Sequence, residues 1–154
     1  MINNKLEELF KITKRNYYIS QIFTVITAAL VLFTIYLYLQ NNLSRENNYV
    51  YYCYLAMGIV SLILGFTYSK KIRENNDIIA ESIKSHPEDF LGFAKNRSIQ
   101  GSLNIILIIV LVASFFVKGT QLDMLNDIFF ILIIFSYWIF NRNYYVMLKT
   151  LSAQ

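Results

Sequence analysis

The chain has 154 residues, of which 56% are hydrophobic and 16% charged, with a formal net charge of +4. That length leaves room for one domain, and the charge content falls well below the roughly 25% usual in soluble domains. No basic run exceeds two residues and no aromatic residues interleave with a basic face, which excludes nucleic-acid binding. The single cysteine, Cys53, and single histidine, His86, exclude an intramolecular disulfide, a CxxC redox centre and a histidine-cluster metal site.

Four windows lack Asp, Glu, Lys and Arg altogether: Asn16–Ser44, Asn47–Ser69, Ser98–Val117 and Ile128–Asn141. A bilayer core of about 30 Å takes roughly 20 helical residues to cross. Three windows meet that length and the fourth meets it with its flanks. The expected fold is therefore all-α, a four-transmembrane-helix integral membrane protein built as two helical hairpins in a single membrane domain.

In chain order, residues 1–15 read as an interfacial amphipathic helix, with Ile2, Leu6, Leu9 and Phe10 on one face. The first span covers 18–39. Its apolar stretch from Ile19 to Leu39 exceeds the roughly 7–15 residues of a signal-peptide core, and no small-residue cleavage site follows, so it reads as a retained helix. Ser20, Thr24, Thr27 and Thr34 fall near one face of it. The second span, 49–68, opens on Tyr49, Tyr51, Tyr52 and Tyr54, an aromatic belt at headgroup level. Gly58, Ser61 and Gly65 form a small-residue stripe along it, the kind of surface on which two helix backbones approach closely.

Residues 69–98 read as a helical cytoplasmic loop. Ile72, Ile79 and Ile83 recur at helical spacing, and Pro87-Glu88-Asp89 opens a further short helix whose apolar side carries Phe90 and Phe93. These five residues form the candidate docking surface for a soluble cytoplasmic partner. The third span, 99–117, carries Gln100 and Asn104 near one end. The fourth, 125–145, has a continuous apolar run, Ile128–Phe140, bounded by Asp127 and Asn141-Arg142-Asn143, and borrows flanking residues on both sides to cross; 146–154 forms a tail.

The basic residues give the orientation. Twelve lie in the N-terminal segment, the central loop and the tail, against only Arg45 and Lys118 in the two short loops. Cytoplasmic loops collect Lys and Arg, so both termini and the central loop are expected inside, in a plasma (inner) membrane.

No pattern supports catalysis. Glu81, His86, Glu88 and Asp89 are the nearest approach to an acid–base cluster, and they sit in a polar turn. The five glycines are scattered and make no phosphate loop. No catalytic, cofactor-binding or metal-ligating residues are assigned, and no cofactor. The hydroxyl face of the first span, together with Asn104, is a candidate pore-lining or packing face. Gly58, Ser61 and Gly65 are the candidate helix-packing set. The expected function is non-enzymatic: an oligomeric membrane protein, a homo-oligomer or part of a membrane complex. It would act on bilayer permeability as a pore, channel or effector-like subunit under a cytoplasmic partner's control. The alternative is an accessory or scaffolding subunit of a larger transporter or enzyme complex that conducts nothing itself.

Overall fold

From Ile2 to Leu39 the sequence has neither glycine nor proline, so nothing in it ends a helix once begun. In the computed structural model, which describes residues 2–39, 49–85 and 91–152, this stretch is one helix, α1 (Ile2–Leu39). The segment expected as a separate interfacial helix at 1–15 is thus the first part of a rod that continues into the first span. At 1.5 Å per residue, its 38 residues reach about 57 Å, far beyond a bilayer core.

The second helix, α2 (Tyr49–Glu74), ends at an asparagine turn. The Asn75 amide Nδ2 donates to the Lys71 carbonyl at 2.9 Å. Its backbone carbonyl accepts the Ile79 N–H at 3.2 Å, starting α3 (Asn76–Ser85). Asparagine suits this junction because its side chain competes for backbone partners that a helix end leaves unpaired. Asp77 in the first turn and Lys84 in the last complement the dipole of α3.

The fourth helix, α4 (Leu91–Ser114), runs from the expected loop straight into the third span. It closes in a tight turn, with Phe115 N–H on the Val112 carbonyl at 3.1 Å and Phe116 N–H on that of Ala113 at 3.0 Å. Gly119 then takes φ +69°, a conformation that disfavours side chains. Its carbonyl receives the N–H groups of Leu122 and Asp123, opening α5 (Thr120–Ser152). The helix runs beyond the expected end of the fourth span at 145, with Asn141-Arg142-Asn143 inside it. It passes through them, because asparagine and arginine in mid-helix cost too little to break it.

The last helix is the organiser of the bundle: α5 packs along α1, α2 and α4. Gly58 meets Phe130 and, seven residues on, Gly65 meets Tyr137, so α2 and α5 run in the same direction. Four helices, α1, α2, α4 and α5, are long and apolar enough to cross a membrane.

Burial is uneven along them. Ile22, Val25, Leu32, Leu62, Phe66, Ile105, Ile108 and Val112 all point outward. A continuous apolar exterior of this kind is foreign to soluble monomers. The buried apolar cluster lies elsewhere, at the end of the bundle where α1 begins and α2 and α5 finish. Leu9, Tyr68, Ile72, Ile79, Met147 and Leu148 form it, with Leu6, Phe10, Phe140 and Tyr144 packed around them. Tyr145 stacks between Tyr17 at 4.5 Å and Phe10 at 5.9 Å, tying α1 to α5.

Two of the five expected docking residues belong to this cluster. Ile72 and Ile79 are 6% and 4% exposed, because their apolar face is covered by the chain's own α1 and α5. Of the other three, Phe90 lies outside the described residues, as do the side chains of Ile83 and Phe93.

Candidate functional site

Polar side chains buried within the bundle define a seam among α1, α2 and α5. Thr13, Asn16, Ser20 and Thr27 come from α1, Ser61 from α2 and Asn141 from α5, while Asn143 of α5, also buried, lines the space between α2 and α4 instead. At the clustered end the Thr13 hydroxyl meets the Tyr68 hydroxyl at 2.6 Å and donates to the Leu9 carbonyl at 2.7 Å, while Asn16 Oδ1 and Asn141 Oδ1 are buried without a partner among the described residues. Ser20 donates to the Tyr17 carbonyl and Thr24 to that of Ser20, while Thr34 donates to Leu30. These are intrahelical bonds, the usual way a hydroxyl is satisfied where water is scarce. Thr27 Oγ1 and Ser61 Oγ are buried without a partner.

Of the four hydroxyl residues expected on one face, Ser20 and Thr27 are fully buried within the chain. Thr24 is half-buried at the rim of a shallow furrow that it shares with Gln21 and Trp138. Thr34 is half-buried and lies within reach of Tyr54 on α2. Asn104 stands apart on the exposed side of α4, where its Oδ1 accepts the Ser136 hydroxyl of α5 at 3.1 Å.

The small-residue stripe faces α5 of the same chain. A Cβ added at Gly58 would stand 2.6 Å from Phe130 Cδ1 and 3.4 Å from its Cβ, so the glycine is required by close approach. At Gly65 the nearest atom, Tyr137 Cδ2, is 3.4 Å away, an ordinary contact. Gly58→Ala is therefore expected to lower stability in detergent by about 1–3 kcal/mol. Gly65→Ala should stay within about 0.5 kcal/mol of wild type. Phe130→Ala combined with Gly58→Ala should cost less than the sum of the single changes, and strict additivity would show that the two residues do not touch.

A second polar feature, unforeseen from the sequence, lies between α2 and α4 where both rest on α5. It has two adjoining compartments of about 350 and 360 Å³ that share Ser69, Gln100, Asn104 and Phe140. The first is mostly apolar, walled by Leu62, Phe66, Leu107 and Ile133. The second is polar, walled by Arg73, Asn76, Arg97 and Asn143. Asn143 is 3% exposed, and neither of its amide atoms has a hydrogen-bond partner within the chain. Among the described residues no carboxylate pairs with Arg73 or Arg97. Both arginines entered the sequence reading only as topology charges, and the signal for the furrow was their position at the ends of two spans. Among the described residues no three His, Cys, Asp or Glu side chains come together as a metal site. Comparisons with protein families, with curated proteins and with solved structures find no match to this chain.

Proposed function

We propose that the chain is a multi-pass protein of the plasma (inner) membrane that works without catalysis, as an accessory or scaffolding subunit of a larger membrane assembly. Four helices long and apolar enough to cross, with apolar side chains along their exposed faces, support the membrane placement. The twelve-to-two distribution of basic residues supports cytoplasmic termini and a cytoplasmic segment 70–97, with the spans arranged as two hairpins.

The observation that carries the choice between conducting and not conducting is the burial of Ser20 and Thr27. A pore lined by that face needs it open to water, and here the chain's own helices cover it. The small-residue stripe is likewise occupied by Phe130 and Tyr137, which removes the sequence argument for self-association through it.

Two measurements test this reading. Purified protein in sealed liposomes should give ion flux no higher than protein-free vesicles, and a selective flux would restore the permeability reading. In a Cys53→Ser background, Lys84→Cys should resist a membrane-impermeant thiol reagent applied to intact cells. Labelling from outside would overturn the orientation.

A further inference from the structure

We propose that the furrow between α2 and α4 binds one anionic phospholipid, its phosphodiester held by Arg73 and Arg97 and its acyl chain laid along Leu62, Phe66 and Leu107. The proposal rests on the membrane placement above.

The order of the compartments carries the argument. The polar one is walled by the last turn of α2, the start of α3, the Arg97–Asn104 part of α4 and Asn143-Tyr144 of α5. All of these lie at the proposed cytoplasmic interface. The apolar one lies deeper: Leu62 is seven residues from Ser69, about 10 Å along α2. Polar at the interface and apolar toward the midplane is the orientation of an inner-leaflet lipid. A soluble anion would use only the first compartment and leave the second without purpose.

The chemistry of the polar end fits a phosphodiester. Two guanidinium groups without carboxylate partners among the described residues present planar N–H forks suited to phosphate oxygens. Asn143 supplies a buried amide whose hydrogen-bonding groups are unpaired within the chain. The buried location makes that amide costly to leave unmade, and a phosphate oxygen or glycerol hydroxyl satisfies it. Among the described residues no acidic side chain lines either compartment, while two arginines line the polar one. The combined size, two volumes of about 350 and 360 Å³, falls in the range of pockets that enclose small organic ligands.

The test is titration of the purified full-length protein in a nonionic detergent with dioleoyl phosphatidylglycerol, read by native mass spectrometry. Dioleoyl phosphatidylcholine and inorganic phosphate serve as parallel probes. One phosphatidylglycerol should be retained in preference to phosphatidylcholine, and inorganic phosphate should not displace it. Arg73→Gln and Arg97→Gln, both at exposed positions, should each weaken retention about fivefold. Leu107→Trp, which fills the apolar compartment, should abolish it. Arg142→Gln removes the same charge from a guanidinium that sits over the Trp138 ring at 5.6 Å, outside the furrow, and should change nothing. Equal retention of both lipids, displacement by phosphate alone, or an equal loss with Arg142→Gln would overturn the site. Carbonate extraction of cell membranes separates this failure from that of the underlying reading. A chain that stays in the pellet yet shows no lipid preference refutes the lipid site alone, whereas release into the supernatant refutes both.

Discussion

Truncating Leu148 to alanine is expected to destabilise the protein by about 2–5 kcal/mol, the range for deleting a buried leucine side chain. Leu148 is fully buried in the cluster with Leu9, Tyr68, Ile72, Ile79 and Met147. Apart from Tyr68, that cluster lies outside the charge-free windows and joins α1, α2, α3 and α5 at the end of the bundle that the proposed membrane placement puts nearest water. There the hydrophobic effect operates between helices as it does in a soluble core. Within the bilayer it does not, since lipid is as apolar as leucine. Ile108→Ala on the exposed face of α4 should therefore stay within about 0.5 kcal/mol of wild type. Unfolding by denaturing detergent, followed through the fluorescence of Trp138, compares the two. Equal midpoints for Leu148→Ala and Ile108→Ala would mean that the cluster does not hold the bundle together.

The contrast between these two positions also marks what the sequence makes legible. Membrane-length helices depend on composition and run length, both local properties, so the four charge-free windows locate them. Their ends depend on breakers, and the absence of glycine and proline from 2 to 39 was a clearer signal than the change from amphipathic to apolar near residue 16. Stripes are legible as faces that need covering, while the cover is not. Ile72 and Ile79 need an apolar partner, and only the tertiary fold reveals that Leu9, Met147 and Leu148 provide it. Gly58 signals close approach, and nothing local names Phe130. Asn141 and Asn143 read as the polar end of a span because asparagine is common there. Their burial follows from the passage of α5 through that point against α1 and α2. The furrow is the least legible feature, since Arg73 and Arg97 stand 24 positions apart and line one compartment only because α2 and α4 both pack on α5.

Thr27→Lys is expected to prevent stable folding rather than to alter conduction. Placing a lysine near the centre of a span costs about 2.5–3.5 kcal/mol on insertion scales. Thr27 is also fully enclosed, so the longer side chain adds about 1–3 kcal/mol of overpacking. Ile26→Lys, one position away and 43% exposed, meets the first penalty alone and relieves part of it by extending toward the interface. The two lysine variants should therefore differ in thermal stability by about 1–3 kcal/mol, with Thr27→Lys the weaker. Thr27→Val sharpens the comparison. The threonine hydroxyl has no hydrogen-bond partner, so a methyl of similar shape should be neutral or stabilising in a dry seam. In a water-lined pore the same change would remove a hydrated group and lower flux. Melting curves and liposome flux on the three variants decide the matter together. A Thr27→Lys protein that inserts, melts like wild type and changes ion selectivity would place this face against water. It would thereby return the protein to the permeability class.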